Sequence, residues 1–123
     1  MIETDIQIVS PGSTLGELVN VVAHSRRNIF PVVSNEGKLE GVILLDNIRE
    51  TMFKVELYDK VFVKQLMQNP AAIISPSEDM QSVMKKFDET GAWNLPVVDE
   101  DKYVGFVSKS SIFTKYRQKL AKN

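Results

Sequence analysis

Hydrophobic and polar positions follow the same pattern twice along the chain. A short β-branched run, "IVSPGS" or "IISPSE", ends at Ser-Pro, where proline restrains the residue before it and cannot donate to a ladder. Apolar residues at helical spacing follow. Two apolar runs then flank a polar turn, "SNEGK" or "DEDK", which predicts a β-hairpin. Each copy is predicted as β-α-β-β-α, closing with a helix from about Asp46 to Phe53 or from Ser110 to Leu120.

The sequences of the two copies align after a shift of 65 positions, and the shift becomes 64 beyond the hairpin turn. An internal repeat decides the architecture, and two copies are too few for an open solenoid. We therefore predict a pseudo-symmetric pair, with the first half and the start of a linker at 1–60 and the second half and a C-terminal helix at 61–123. The strands are nearly apolar on both faces, so each half is expected to need the other as part of its core.

Helix starts are marked by short polar side chains. Ser13 or Thr14 in the first copy and Ser77 in the second are predicted N-caps, because their hydroxyls satisfy free amide groups of the first turn. The connecting segment "ELYDKVFVKQLMQN" is expected to be partly helical.

Composition removes several classes of function. The chain has 123 residues, a net charge of -1 and no cysteine, which excludes disulfides, zinc-thiolate sites and a cysteine nucleophile. The balanced charge gives no reason to expect a nucleic-acid binder. The sequence has no run of about 18 apolar residues, the length that a helix needs to span a bilayer. Neither HExxH nor GxxxxGK occurs, so no catalytic residue and no metal site is predicted. His24 is expected at the surface, and Asp99–Asp101 are expected to be solvated acids of a turn.

This doubled pattern closely resembles a tandem pair of CBS domains, the Bateman module. The resemblance rests on Ser-Pro after the first strand, the Pro-Val-Val strand, and the Gly-apolar-apolar segment that leads into the last helix. It implies a mixed α/β fold of two β-α-β-β-α units packed through their sheets, and a homodimer. The segments "VILLDNIRETMF" and "FVSKSSIFTKYR" are similar to the cytoplasmic C-terminal CBS pair of bacterial chloride-channel-type membrane proteins. That implies a non-catalytic regulatory domain at the cytoplasmic face of an inner-membrane protein, joined to a membrane-embedded transport domain.

The resemblance also implies that an adenine nucleotide (AMP, ADP or ATP) binds in clefts between the units, with no cofactor required. The family motif is Gly-h-h-(Thr/Ser)-x-x-Asp, with h apolar. The better predicted cleft joins the first-copy base slot to the start of the last helix: Asn28, Ile29, Phe30, Pro31, Ser108 and Ser111. The weaker predicted cleft contains Asn94, Leu95, Pro96 and Asn47.

Both motifs depart from the family at the ribose carboxylate. Ser111 and Asn47 stand where the motif has Asp, and Leu44 replaces the hydroxyl of the first copy. A charged acceptor bonds about twice as strongly as a neutral one, so nucleotide binding is expected to be weak or altered. Two alternatives stay open: a ligand-free dimerisation module in which Ser108 and Ser111 merely cap a helix, or the regulatory part of another transporter or an enzyme.

Three further features have two interpretations each. Arg26 and Arg27 are expected either to interact favourably with the negative C-terminal end of a helix or to bind a phosphate. Trp93 is expected to pack or to lie at an interface rather than to stack on a base. From Lys109 onward the chain has five cations and no acid, which indicates either a packed helix with a solvated end or a helix that contacts an anionic membrane.

Overall fold

The structure of the chain is a computed structural model that describes residues 2–122, divided between two units of mixed α/β structure. The first unit is Ile6–Asn69. The second unit joins the chain before Ile6 to the chain from Pro70 onward. These units are defined by contacts, whereas the boundary predicted after residue 60 separates sequence repeats and stays a prediction.

The first unit is built around one β-hairpin. Its elements in chain order are helix α1 (Leu15–Ala23), strands β1 (Ile29–Val33) and β2 (Leu39–Leu44), helix α2 (Leu45–Ile48), 3-10 helices at Thr51–Phe53 and Val55–Leu57, and helix α3 (Val63–Leu66). The last of these confirms that the connecting segment is partly helical. Strands β1 and β2 pair antiparallel, with a register shift between Val32 and Val33.

The second unit repeats this arrangement with fewer interruptions. Its elements are helix α4 (Met80–Thr90), strands β3 (Asn94–Asp99) and β4 (Lys102–Ser108), and helix α5 (Lys109–Ala121). The strands pair antiparallel with an equivalent register shift, between Val97 and Val98. The closing helix predicted from Ser110 to Leu120 is therefore confirmed to within one residue at each end.

The predicted first strand of each copy is reduced to a single bridge. Val9 pairs parallel with Val32, and Ile74 pairs parallel with Val97. The following Ser-Pro ends each pairing at once, since proline has no amide hydrogen to continue it.

The opposite edge of each hairpin is covered by the chain that precedes the other repeat. Glu3 lies antiparallel to Phe106, and Gln68 lies antiparallel to Val42. Both bridges are doubly hydrogen bonded, at 2.7 and 2.9 Å for the first and 2.9 Å for each bond of the second. The N-terminal segment thus completes the sheet of the second repeat, and the segment before the second repeat completes the sheet of the first.

Each unit has its own buried apolar cluster. The first contains Val9, Leu15, Leu18, Phe30, Val32, Ile43, Ile48 and Val63. The second contains Ile74, Val83, Phe87, Leu95, Val97, Val107 and Ile112. Most members of one cluster lie 64 or 65 positions from a member of the other, so equivalent positions of the two repeats are buried in both units.

The helix predicted from Asp46 to Phe53 is wrong. Helix α2 ends at Ile48, and the chain continues through 3-10 turns toward Tyr58. The Tyr58 hydroxyl donates to the Met52 carbonyl oxygen at 2.7 Å, and the Tyr58 carbonyl accepts from the Gly16 amide at 3.0 Å. The first bond holds the 3-10 segment together and the second ties it to the start of α1, so the chain leaves the path of a continuous helix.

The N-caps confirm one prediction and correct another. Thr14 caps α1 in a capping box, in which its hydroxyl accepts from the Glu17 amide and the Glu17 carboxylate accepts from the Thr14 amide. Ser77, however, does not cap α4. Asp79 does, accepting from the Ser82 amide at 2.8 Å. The helix starts two residues later than predicted because Ser77 is held in the preceding turn.

Candidate functional site

In the first unit, the start of the hairpin lies beside the start of the helix that follows it. The Leu45 amide donates to the Asn28 carbonyl oxygen at 2.9 Å, and Ile29 pairs with Leu44. The predicted base-slot segment and the predicted ribose segment of the same repeat are therefore neighbours within this unit.

The residues of the first predicted slot differ in accessibility. Asn28 is exposed and Ile29 is half-buried, whereas Phe30 and Pro31 are buried. The Pro31 carbonyl accepts from the Val9 amide at 2.9 Å, so it is already paired. Asn28 and Ile29 are thus the members of this predicted slot that have accessible surface.

The second unit shows the same neighbourhood. The Lys109 amide donates to the Trp93 carbonyl at 2.8 Å, and Asn94 pairs with Ser108. Asn94 is half-buried, while Leu95 and Pro96 are buried. Of these three residues, only Asn94 has a side chain that is accessible to solvent.

Ser108 and Ser111 cap α5 together. Ser108 is the N-cap, and its hydroxyl oxygen accepts from the Ser111 amide at 3.2 Å. The Ser111 hydroxyl donates to the Ser108 carbonyl at 3.1 Å and lies 3.0 Å from the Ser108 hydroxyl. Both hydroxyls are half-buried and engaged with each other, so a ribose hydroxyl has to compete with the cap.

The corresponding position of the first unit is also engaged. The Asn47 side-chain amide donates to the Gln68 side-chain oxygen, and Asp46 forms an ion pair with Arg49. Asn47 and Asp46 are exposed. A ligand at Asn47 has to share or displace the contact with Gln68.

A cation stands over aromatic rings at the start of α5. The Lys109 ammonium lies 5.2 Å from the centre of the Trp93 ring and 5.7 Å from the centre of the Phe113 ring. Trp93 is 74% exposed, so of its two expected roles packing within the fold is not met, and a position at an interface stays a prediction. Cation–π contacts at such exposed sites contribute about 0.5–1 kcal/mol. A contact of this strength does not prevent the ammonium from leaving the rings to pair with an anion.

A family model described as the CBS domain matches residues 1–54 and again residues 63–117. The chain belongs to the CBS domain family. This CBS pair is similar to protein MJ1232 of Methanocaldococcus jannaschii, at 28% identity over 120 residues. The match covers 97% of this chain and 39% of MJ1232, so the chain spans well under half of that relative.

Two solved CBS structures contain nucleotides. The CBS domain of a bacterial CNNM/CorC family Mg²⁺ transporter in complex with ATP has a TM-score of 0.78 and 17% identity, covering 94% of this chain and 81% of that one. CBSX2 in complex with AMP has a TM-score of 0.75 and 18% identity, covering 96% and 92%. At these identities the likeness establishes the fold, and it confirms the predicted mixed α/β class. Pairs of this family are generally regulatory modules.

Sequence reasoning named Lys109 only as one of five cations and did not predict its contact with Trp93 and Phe113. Its position directly after the motif hydroxyl of Ser108 was the available signal, since the first residue of a helix lies beside the amides that attract anions. His24, expected at the surface, is exposed, and one of its ring nitrogens lies 2.8 Å from the Asn20 carbonyl oxygen. Arg26 is exposed and lies three residues beyond the end of α1.

One carboxylate of the CBS pair is held in a polar network. Burial alone would raise the pKa of Glu78, but hydrogen bonds from Ser82, Lys86 and the Ser75 amide, with the Lys86 charge, outweigh it and lower the pKa. The Lys86 ammonium lies 2.9 Å from the carboxylate and 2.7 Å from the Ile73 carbonyl. The network ties the Ser-Pro turn to α4.

One polar group of the second unit lacks such a network. The Tyr103 hydroxyl is buried and has no hydrogen-bond partner within residues 2–122. Burial, with a smaller contribution from the Asp5 charge, raises its pKa to about 12.

Nothing in the described part of the CBS pair supplies a metal cluster or a membrane span. No three His, Cys, Asp or Glu side chains converge there, and none of its helices combines the length and hydrophobicity needed to cross a bilayer.

Proposed function

We propose that the chain is a non-catalytic regulatory CBS pair that binds adenine nucleotides weakly and transmits their presence to a partner domain. The observation that carries the proposal is the repeated placement of a Pro-Val-Val strand beside the motif helix, with the motif hydroxyl kept at Ser108. Support for the ligand class comes from the ATP and AMP complexes of the two similar structures.

We assign the following roles to the predicted residues. Asn28 and Ile29 present polar and apolar edges to the base, in front of the buried Phe30 and Pro31. Ser108 and Ser111 bond the ribose. Asn94, Leu95, Pro96 and Asn47 form the weaker set.

Phosphates are assigned to the start of α5, where Lys109 adds a positive charge to the free amides of the first turn. Its ammonium rests on aromatic rings and has no acidic partner within 4 Å in the part of the chain that the structure describes.

The experiment restores the missing carboxylate. Ser111→Asp is expected to tighten AMP binding about tenfold, measured by isothermal titration calorimetry, because a charged acceptor bonds the ribose roughly 1.4 kcal/mol more strongly than a hydroxyl. Ser110→Asp is the matched control, since it adds a carboxylate to the same helical turn, one residue from the motif position. Equal affinities for the two variants, or no heat with AMP, ADP and ATP for either of them, would contradict the proposal.

A ligand-free dimerisation module is the second candidate. It is favoured by the hydrogen bonds of Ser108 with Ser111 and of Asn47 with Gln68, because every side chain predicted to bind the ribose already has a partner in the protein. This function predicts a homodimer in sedimentation whose mass does not change with nucleotide. A monomer at high micromolar concentration would exclude it.

We further propose that the partner is a membrane-embedded transport domain of the chloride-channel type, with the CBS pair at its cytoplasmic face. Support comes from the similarity of the segments after Gly41 and Gly105 to that class. An antibody against this chain is expected to detect, in native membranes, a polypeptide much longer than 123 residues. Detection of an unattached chain in the soluble fraction would contradict this partner, while leaving the nucleotide proposal intact.

A further inference from the structure

A lysine and two aromatic side chains form a cluster at the start of α5. The Lys109 amide donates to the Trp93 carbonyl oxygen at 2.8 Å, which holds the two backbones side by side. The Lys109 ammonium lies 5.2 Å from the centre of the Trp93 ring and 5.7 Å from the centre of the Phe113 ring. Phe113 follows Lys109 by four residues, so their side chains lie on the same face of the helix. The ammonium is therefore in contact with both rings at once.

The fold itself does not require this cluster. At the equivalent position of the first unit, the Leu45 amide donates to the Asn28 carbonyl oxygen at 2.9 Å. The first unit thus keeps the backbone bond with neither an aromatic ring nor a cation at the two bonded residues. The side chains of Trp93 and Lys109 therefore add a property that the shared backbone arrangement does not need.

The Lys109 ammonium can exchange one partner for another. No acidic side chain lies within 4 Å of it among residues 2–122, and Trp93 is 74% exposed. Contacts of an ammonium with exposed rings are weaker than its charge-assisted hydrogen bonds to a phosphate. The flexible lysine stem allows the ammonium to leave the rings while the backbone bond stays in place. A phosphate close to Ser108 would therefore draw the ammonium away from the rings.

We propose that Trp93 tunes the phosphate affinity of the site at the start of α5 by competing for Lys109. Without nucleotide the ammonium rests on the rings, and with nucleotide it bonds to the phosphate and gives up the cation–π contacts. Trp93 is thus a positioning residue, whose ring lowers phosphate affinity through Lys109 without touching the ligand. The inference rests on the proposed nucleotide function and adds to it a residue that sets the discrimination between phosphorylated and unphosphorylated nucleosides.

An exposed tryptophan beside a nucleotide site has a second interpretation, which is stacking on the base. The two interpretations predict opposite signs. A stacking ring adds affinity for adenosine and AMP alike, whereas a competing ring reduces the affinity for AMP and does not affect adenosine. The position of Lys109 favours competition, because its ammonium already lies over the ring that the base would cover.

The test measures AMP and adenosine affinities of the full chain by isothermal titration calorimetry. Trp93→Leu is expected to tighten AMP binding about two- to fivefold, the factor that corresponds to one exposed cation–π contact, and to leave adenosine binding unchanged. Lys109→Met is expected to weaken AMP binding about tenfold, because a charge-assisted bond to the phosphate is lost. If the wild-type chain binds AMP too weakly to titrate, the same variants are made in the Ser111→Asp chain.

A double variant isolates the competition. Because the ring acts only through the ammonium, Trp93→Leu with Lys109→Met should bind AMP as weakly as Lys109→Met alone. Lys115→Met is the matched control, since it removes an exposed cation from the same helix, six residues further along. Combined with Trp93→Leu, it should leave the two- to fivefold gain in place.

The emission of Trp93 gives an independent readout. Trp93 is the single tryptophan, so a charge that leaves its ring changes the only indole emission of the chain. AMP is expected to change the emission of the wild-type chain, and adenosine is not. The Lys109→Met chain should show no change with either ligand.

Three results would overturn the inference and leave the nucleotide function intact. These are AMP binding that Trp93→Leu weakens or leaves unaltered, a gain that persists in the double variant, or bound AMP without a change in emission. The absence of AMP binding to both the wild-type and the Ser111→Asp chains would instead contradict the proposed function, and the inference with it. Circular dichroism of each variant confirms that a change in affinity is not unfolding.

Discussion

At the scale of single residues, two polar side chains of the second unit differ in how their hydrogen-bonding groups are satisfied. Glu78 satisfies its carboxylate through several donors, whereas Tyr103 buries a hydroxyl that finds none within the described chain. An unsatisfied buried donor costs stability, while a satisfied one contributes it. Substitutions that remove the two groups should therefore have opposite signs.

Tyr103→Phe is expected to leave stability at pH 7 unchanged or to raise it by about 0.5–1 kcal/mol, because it removes an unpaired hydroxyl. Burial raises the pKa of Tyr103 in the folded chain to about 12, above its ordinary value of 10.0. The unfolded wild-type chain therefore releases the Tyr103 proton at lower pH than the folded chain, and the free energy of unfolding should fall as the pH rises from about 10 toward 12. The variant should lack that alkaline loss in urea unfolding. Tyr58→Phe is the control. It breaks the 2.7 Å bond to Met52 and should cost about 1 kcal/mol.

Glu78→Gln is expected to lower the free energy of unfolding by roughly 1–2 kcal/mol at pH 7, since it removes charge-assisted bonds to Lys86 and Ser82. The pKa of Glu78 is lowered from 4.5 in the folded chain. Its contribution is therefore present above that value and is lost as the pH falls through the folded pKa. Denaturant unfolding at neutral and acidic pH should show the difference shrinking.

The control for Glu78 is Glu89→Gln. Glu89 pairs with Lys85 at 3.9 Å, with both side chains mostly exposed, and such pairs contribute little. A loss as large as that of the Glu78 variant would show that the network adds nothing beyond an ordinary surface pair.

At the scale of elements, each hairpin depends on one glycine. A Cβ on Gly105 would lie 2.5 Å from the Glu3 carbonyl oxygen, and one on Gly41 would lie 2.9 Å from the Gln68 carbonyl oxygen. Glycine is therefore required because another backbone crosses there. The family motif glycine thus has a structural role that is independent of any ligand.

Gly105→Ala is expected to cost about 2 kcal/mol or more in thermal or urea unfolding, because the edge segment has to move away from β4. Gly12→Ala is the matched control, since nothing lies within 4 Å of the added methyl group, and we expect it to stay within about 0.5 kcal/mol. Similar values for the two variants would mean that the edge segment yields without cost.

Much of this element structure was predictable because the two copies share one register. The hairpins and the core follow from it. The N-cap of α4 follows as well, because Asp79 stands 65 positions after Thr14, the N-cap of α1, whereas the prediction had chosen the hydroxyl of Ser77. The break after Ile48 was not predictable, because it depends on hydrogen bonds with Tyr58 that no local pattern encodes. At the site, the motif located Ser108 and Ser111, but their mutual hydrogen bonds appear only in three dimensions.

At the scale of the whole molecule, the edges of the two sheets are exchanged between the repeats. The pairing of Glu3 with Phe106 joins residues more than a hundred positions apart, and sequence periodicity gives no information about partners at that distance. An edge completed in this way leaves fewer unpaired backbone groups for other chains to join.

A chain that begins at Ile6 tests this exchange. The Phe106 amide, which donates to the Glu3 carbonyl, should exchange its hydrogen with solvent at least tenfold faster. The Val42 amide, which bonds to the Gln68 carbonyl in the first unit, should stay protected. Unchanged exchange at Phe106 would show that Glu3 contributes no protection.

The exchanged edges also set an order for folding on the ribosome. The first unit has all of its residues once Asn69 has emerged. The segment around Glu3, in contrast, must wait for β4, which is synthesised about a hundred residues later. During translation the opening residues therefore remain without their sheet, available to chaperones or to a neighbouring nascent chain. The segment around Glu3 therefore reaches its native pairing only after nearly all of the second repeat has been made.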